Sequence, residues 1–549
     1  MADRTKWVLI VSGCALLLGA FLQVPQFLYL MQPESQGILV HLNSDEYQYL
    51  ARIEEALTGR PEQSAQPYLG DPYMPGMHLA PIEQVEGLLF GWTGWRAATV
   101  AQVMDSVIPI LLFFALFAFF RLTGFSRPRS LAGVFLFVVP LLYSLNRPVH
   151  QRTSFLLVLI TILLMMLALE RRKIVFAVLG GALLGALVGV YLWSWMIAWS
   201  YVGALFVWEA IAWWRMRPRQ SIRHSRFGML LLLISVGLVV AGFFAVRILH
   251  LMQHPLYEQV AFRQGMYLMR RPESWVYSIL FLGMSLGLLM AAWRFPKLRG
   301  SHRYAILVPV AVWIGMHQQL LHGHVIAFVS HFTFAIALGA VCSLLLGSLF
   351  FSRRLVIPFL CGAVMLSGTT WDNRHVYKQF VINHTHFTEQ HFVTLLPVLD
   401  RLPRSVILSD ESTSGFVSIE THHDILTSIY LESALMPHEE IARRYCITQG
   451  PLTNEQRRIP EQIHLVWPDA NAANRGTDAR EREVALVERE CAAVDADPGA
   501  ALKQYGVQYV LWDVRRKPEW DVKRLKVPLT KVEEDAGNWV LFSVNGARP

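Results

Sequence analysis

Charge is what this sequence lacks most: Asp, Glu, Lys and Arg make up only 16% of its residues, against 54% apolar. A chain folded in water around one core needs far more charged surface, so a wholly soluble fold is excluded. Cysteine is scarce as well, with five in 549 residues. Cys14, Cys342 and Cys361 fall in apolar runs and read as packing residues. Cys446 and Cys491 fall in a polar C-terminal stretch, where an oxidising compartment would allow them to pair. No basic arm interleaved with aromatics is present, which argues against nucleic acid as a partner. Internal repeats and low-complexity tracts are absent too. So is a small-x-small cleavage site between the first apolar run and Pro33, and that run therefore reads as an uncleaved anchor.

What the chain does have is long apolar runs. Trp7 to Leu30, Val100 to Phe120, Phe227 to Val246 and Leu355 to Thr370 each hold roughly 16–24 residues with almost no charge. At about 1.5 Å per residue, helices of that length cross most or all of a hydrocarbon core of about 30 Å. Lys and Arg then set the orientation. Arg4 and Lys6 precede the first run, and further clusters stand at Arg121/Arg127/Arg129, Arg171/Arg172/Lys173, Arg215 to Arg226, Arg294 to Arg303 and Arg353/Arg354. Two spans and one basic-poor turn fit between successive clusters, so the clusters mark cytoplasmic loops and the chain crosses about eleven times. The expectation is a multi-pass protein of the inner (plasma) membrane, with a cytoplasmic N-terminus and an extracytoplasmic C-terminal domain. The segment 371–549 carries about −5 of the chain's +8, leaving about +13 on the membrane part, where it attracts anionic lipid.

The domains follow: a transmembrane part over 1–370, whose first outer loop is 31–98, and an α/β domain over 371–549. In the first loop Ser44 is a good N-cap, Asp45 and Glu46 suit a helix N-terminus, and Gly59 with Pro61 makes a stop. Tyr47, Leu50, Ile53 and Leu57 recur at helical spacing, so this helix is expected to lie on the membrane surface, apolar side down. In the C-terminal part, Ser405 to Asp410, Tyr505 to Asp513 and Asn538 to Val544 read as strands. Glu439 to Tyr445 and Asp478 to Cys491 read as helices.

The residues able to carry chemistry gather in the outward segments. Asp45 and Glu46 form an adjacent carboxylate pair just after a span; either can act as a base toward a hydroxyl or amide, or ligate Mg2+ or Mn2+. The plainer reading is that acids favour a helix N-terminus. Arg147 and Arg152, in the turn that also holds His150, can grip a phosphate or reach lipid headgroups. Gln318, Gln319, His322 and His324 occupy another outward turn; they suit sugar hydroxyls or pyrophosphate, or interhelical hydrogen bonds. Arg263, Arg270 and Arg271 break the positive-inside pattern in a third loop, and a phosphate-bearing ligand would explain them. Tyr191, Trp193, Trp195, Trp199 and Tyr201 read as an aromatic belt that could also stack a sugar.

The run Asn43-Ser44-Asp45-Glu46-Tyr47-Gln48-Tyr49-Leu50-Ala51-Arg52 resembles the first outer loop of GT-C glycosyltransferases, the superfamily of oligosaccharyltransferase catalytic subunits. The many-span part with an outer C-terminal domain is similar as well. The resemblance implies a GT-C fold and transfer of a sugar or oligosaccharide from a polyprenyl phosphate or diphosphate donor to a protein or glycan acceptor. It makes Asp45 the catalytic or metal-binding acid, with Glu46 beside it and possible dependence on Mg2+ or Mn2+. The second acidic motif of oligosaccharyltransferases has no counterpart, since the turn after the third span reads Asn146-Arg147-Pro148-Val149-His150. Two other classes fit a membrane protein of this size, a lipid-linked glycan transporter and a non-catalytic envelope-assembly protein. The lack of repeats and of mid-span ionisable residues disfavours the first.

Overall fold

The computed structural model describes residues 2–39, 45–59, 79, 81–145, 150–215, 225–263, 267–268, 270–325, 329–350, 387–428, 431, 434–457 and 477–544. It divides into two compact units. One comprises Met1–Val24, Val103–Leu249 and Leu268–Val376; the other comprises Pro25–Gln102, His250–Tyr267 and Tyr377–Pro549.

Apolar helices build the first unit. Along the described chain, seven helices are long and apolar enough to cross a membrane: Thr5–Leu30, Ala97–Leu122, Gln151–Arg171, Trp193–Arg215, Arg226–Met252, Trp275–Arg294 and Thr333–Phe350. Ile174–Val190 and Arg303–Met316 are shorter apolar helices, and Arg127–Val138 runs through a tight turn into Leu142–Leu145. The crossing expected at Leu355 to Thr370 lies outside the described residues.

Two devices hold this unit together. Small residues let backbones meet: a Cβ on Gly181 would stand 2.4 Å from the Leu233 carbonyl oxygen, and one on Gly185 would stand 2.5 Å from that of Gly237. Spaced four apart on one helix face, these glycines provide the close approach that apolar helices need where lipid competes for every greasy surface. Buried charges, meanwhile, are paired. Arg152 bonds the Asp105 carboxylate and donates to the Leu145 carbonyl at 2.8 Å. Arg303 reaches Glu170 at 2.7 Å and Glu209 at 3.0 Å, and the Tyr304 hydroxyl donates to Glu170 at 2.8 Å. Ionisable groups therefore do enter the bundle, which the sequence reading did not anticipate, and each of these is neutralised there.

The second unit is an α/β layer structure. Strands β1 (Val406–Leu408), β2 (Asp424–Ile425), β3 (Val507–Asp513), β4 (Leu529–Asp535) and β5 (Trp539–Val544) form a sheet in the order β2-β1-β3-β5-β4. β1 runs parallel to β2 and β3, while β5 is antiparallel to β3 and β4. Gly537, with φ +81°, makes the turn between β4 and β5. Side chains alternate across the sheet, with Ile407 and Leu511 facing one core and Leu408 and Val510 facing the other.

Helices from distant parts of the sequence cover the two faces. Helices α4 (His438–Thr448) and α5 (Thr477–Ala496) cover one, tied by a Cys446–Cys491 disulfide. The other is covered by α3 (Glu411–Glu420) together with α1 (Asp45–Leu57) of the first loop, against which α2 (Pro81–Phe90) packs. Leu50, Ala51 and Ile53 of α1 are buried with Phe392, Phe416 and Ile419, and Tyr47 and Leu57 pack beside them. The apolar stripe of α1 is thus covered by protein, where the periodicity suggested lipid. Burying each such leucine or isoleucine contributes about 1.5–3 kcal/mol, enough to make the loop part of the domain.

Candidate functional site

The first turn of α1 holds the strongest sequence candidates. Asp45 is the first residue of the helix, where the macrodipole favours a carboxylate. Its backbone is described and its side chain is not. Glu46 follows and is buried. The next residue, Tyr47, lays its ring against Gly415 of α3, where a Cβ would stand 2.7 Å from Cδ1. Its hydroxyl donates to the Glu389 carboxylate. Burial pushes the Tyr47 phenol well above its usual range, and the nearby Glu389 and Glu46 charges act in the same direction while Arg516 opposes them. Tyr47 is therefore a neutral donor at physiological pH.

Glu389 belongs to one turn, Phe387–Phe392, that carries three buried polar side chains in succession. Gln390 ties the first loop down. Its Oε1 accepts from the Gln36 amide at 2.7 Å, and its Nε2 donates to the Tyr29 hydroxyl at 2.7 Å and the Ile38 carbonyl at 2.8 Å. His391 stands with Nε2 3.2 Å from Asp513 Oδ1, both side chains buried. Asp513 ends β3, and its Oδ1 also accepts the Arg516 amide at 2.9 Å. Neither ring nitrogen of His391, nor Asp513 Oδ2, nor Arg516 Nη1 has a hydrogen-bond partner among the described residues. Such groups are rare in folded proteins, and they mark where a polar ligand could be received.

Beside them ends the parallel neighbour of β3. Asp410, after β1, caps α3 by accepting from the Ser412 and Thr413 amides at 3.1 and 3.3 Å. The Glu411 carboxyl is pushed up to about 7, first by burial and then by Asp410, with Lys517 acting against them. Acids at the carboxyl ends of adjacent parallel strands are where open α/β sheets present their ligand crevice. A glutamate near pH 7 is suited to giving or taking a proton there.

The remaining sequence candidates lie in the helical unit or outside the described residues. Arg147 is in the latter group. His150 is the first residue of the His150–Arg171 helix, with its side chain not described. Arg152 is the buried partner of Asp105, so a donor phosphate would have to share its guanidinium. Gln319 is buried and directs its amide toward the Arg271 carbonyl at 3.5 Å; Gln318 is half-buried. His322 ends a short helix and His324 begins a two-residue strand, joined by Gly323 at φ +84°. A Cβ on Gly323 would stand 3.1 Å from the Arg270 guanidinium, so the loop of Arg270 and the His-Gly-His turn meet. His331 stacks on Trp193 at 3.9 Å between ring centroids, which gives one member of the aromatic group a defined partner. Among the described residues no group of three or more His, Cys, Asp or Glu is gathered to hold a metal.

Sequence reasoning missed Tyr47, Glu389, His391, Asp513 and Arg516 as a group. Asp410 and Asp513 did end the expected strands, which was the available signal. Glu389 and His391 sit in an irregular turn with no periodicity to mark them.

No family model matches the sequence, and no curated protein matches it. Among solved structures, the chain is similar to ArnT from Cupriavidus metallidurans bound to undecaprenyl phosphate, at a TM-score of 0.51 and 13% identity over 98% of each chain. The same protein in the apo state gives 0.48 and 13%, again over 98% of each chain. The Archaeoglobus fulgidus oligosaccharyltransferase, in complex with Zn and sulfate, gives 0.49 and 12% over 97% of this chain and 72% of that one. The first of these likenesses runs the length of both chains, helical part and sheet alike. The chain is a polytopic α-helical membrane protein with a C-terminal α/β domain, and it shares the fold of the ArnT structure.

Proposed function

We propose that the chain is a membrane glycosyltransferase that moves a sugar or oligosaccharide from a polyprenyl phosphate or diphosphate donor to a protein or glycan acceptor outside the inner membrane. The observation that carries this reading is the placing of α1. A helix that begins with Asp45 and Glu46 is built into the wall of the α/β domain, and its Tyr47 reaches a set of buried polar groups at the carboxyl ends of two parallel strands. The ArnT structure with undecaprenyl phosphate supports a polyprenyl-linked donor for a chain of this fold. The Cys446–Cys491 disulfide supports an oxidising, extracytoplasmic location for the α/β domain.

In this reading Asp45 takes the proton from an acceptor hydroxyl or amide as that atom bonds to the anomeric carbon. The bond from that carbon to the donor phosphate oxygen breaks, and the polyprenyl phosphate leaves with the electron pair. Arg147, His150, Gln318, Gln319, His322 and His324 serve the donor phosphate and sugar, and Arg270 adds a cation beside Gly323. The α/β domain receives the acceptor. A Mg2+ or Mn2+ ion at Asp45 would need further ligands from the donor phosphate and water, because the described residues supply no clustered set.

The test is product formation by the purified protein alone, supplied with a radiolabelled polyprenyl-phosphate sugar and an acceptor extract. A labelled acceptor with equivalent release of polyprenyl phosphate is expected. Transport of the intact donor across a vesicle membrane without bond cleavage would overturn the reading.

A further inference from the structure

The helical unit contains a cavity of about 770 Å3 that none of the residues discussed for sugar transfer lines. It lies among the basic ends of the Leu192–Arg215, Arg226–Met252, Trp275–Arg294 and Arg303–Met316 helices. We propose that it holds an anionic, phosphate-bearing lipid of the bilayer leaflet that faces the basic loops, with the phosphate at an arginine rim and a hydrocarbon chain between the helices.

The rim is strongly cationic. Five arginines line the cavity against one carboxylate, Glu209. Two of the five are spoken for: Arg303 by Glu170 and Glu209, and Arg226 by Glu170 at 2.8 Å. Arg299 donates to the Ala292 carbonyl at 2.8 Å and keeps its full charge. Arg172 and Arg215 are exposed, and neither has a carboxylate partner among the described residues. Three guanidinium groups without a carboxylate partner among the described residues thus line one cavity, and their planar donor sets match phosphate oxygens.

Below the rim the lining changes character. It follows the Leu192–Arg215 helix from Arg215 back to Ala204, and the Arg303–Met316 helix from Arg303 to Ile314. At about 1.5 Å per residue either path is about 16 Å long, half the thickness of a hydrocarbon core. Val207, Trp208, Ile211, Val310 and Ile314 form its apolar side, and Trp213 and Trp293 lie nearer the rim. Trp213 stacks on Phe227 with ring centroids 5.5 Å apart. Tryptophan at that depth is typical of the boundary between headgroups and chains. A free phosphate ion has no use for a long apolar groove, and a neutral lipid has none for unneutralised arginines. Only a molecule with both parts fits both ends.

Native mass spectrometry of the full chain, exchanged into detergent with dioleoyl phosphatidylglycerol or dioleoyl phosphatidylcholine, tests this. The wild type is expected to retain phosphatidylglycerol in preference to phosphatidylcholine. The Arg172→Gln/Arg215→Gln variant should lose that retention about tenfold, which corresponds to about 1.4 kcal/mol. Both arginines are exposed, so the variant should keep the wild-type melting temperature. An Ile211→Asp variant, which puts a carboxylate on the apolar side of the groove and leaves the rim intact, should also lose the lipid. Equal retention of the two lipids, unchanged retention in the arginine variant, or full displacement of phosphatidylglycerol by inorganic phosphate would each overturn the proposal.

Discussion

Two charged clusters, one in each unit of this chain, are satisfied by hydrogen bonds to different degrees. In the helical unit each buried cation described above has a carboxylate partner: Arg152 has Asp105, and Arg303 has Glu170 and Glu209. In the α/β unit, His391, Asp513 and Arg516 meet at the end of β3 with several polar atoms unmatched among the described residues. A low-dielectric bundle cannot tolerate an unpaired charge, so its ion pairs are structural cross-links. A domain of mixed sheet and loops can hold a polar group ready for a ligand, because the surrounding hydrogen bonds fix it in place. The first set cross-links helices, and the second leaves polar atoms that a ligand could meet.

The largest stability effect should come from unpairing the first set. Arg303→Met leaves the buried Glu209 without a cation, while Glu170 keeps Arg226, and should cost about 3 kcal/mol, seen as a lowered melting temperature in detergent. Adding Glu209→Gln should recover most of it. If the double variant is no better than the single one, the Arg303–Glu209 pair is not the cross-link described.

A smaller loss is expected at Tyr47, in the α/β unit. Tyr47→Phe removes the hydrogen bond to the Glu389 carboxylate and should destabilise the α/β unit by about 1.5–3 kcal/mol. Because α1 is part of that unit, hydrogen exchange should rise together in α1 and α3. Faster exchange confined to α1 would show that the loop is not integrated with the sheet.

The sequence made much of this architecture legible, for physical reasons. Long apolar runs marked helices of the bundle, such as Ala97–Leu122 and Arg226–Met252, and the strands expected over Ser405 to Asp410, Tyr505 to Asp513 and Asn538 to Val544 fall on β1, β3 and β5. Strand β4 was missed because Lys531, Glu533 and Glu534 make it an edge with little apolar content. The partner of α1 was also misjudged. An amphipathic stripe records that something apolar covers it, and lipid and a distant Phe392 or Phe416 satisfy it equally. The candidate site was legible only where one segment carries it, as at Asp45 and Glu46. The groups Tyr47, Glu389, His391 and Asp513 come from segments hundreds of residues apart, and no local pattern joins them.

The smallest effect concerns pH. Burial holds the Glu54 and Glu411 carboxyls protonated up to about pH 7, against 4.5 for an ordinary glutamate. Between those values the folded chain binds protons that the unfolded chain has released. Stability is therefore full below about pH 4.5 and declines as pH rises toward 7. Glu411→Gln should remove part of that decline, raising stability by about 1 kcal/mol at pH 8 and leaving it unchanged at pH 4. A variant that gains nothing at pH 8 would place Glu411 in water.

The central claim is that transfer depends on the first turn of α1 in the α/β unit. It is tested most directly by measuring kcat of Asp45→Asn beside wild type, on a polyprenyl-phosphate sugar donor, with melting temperatures recorded for both. The account predicts a loss of at least about a hundredfold at an unchanged melting temperature, the scale expected for removing a general base. Wild-type turnover in the variant would contradict it.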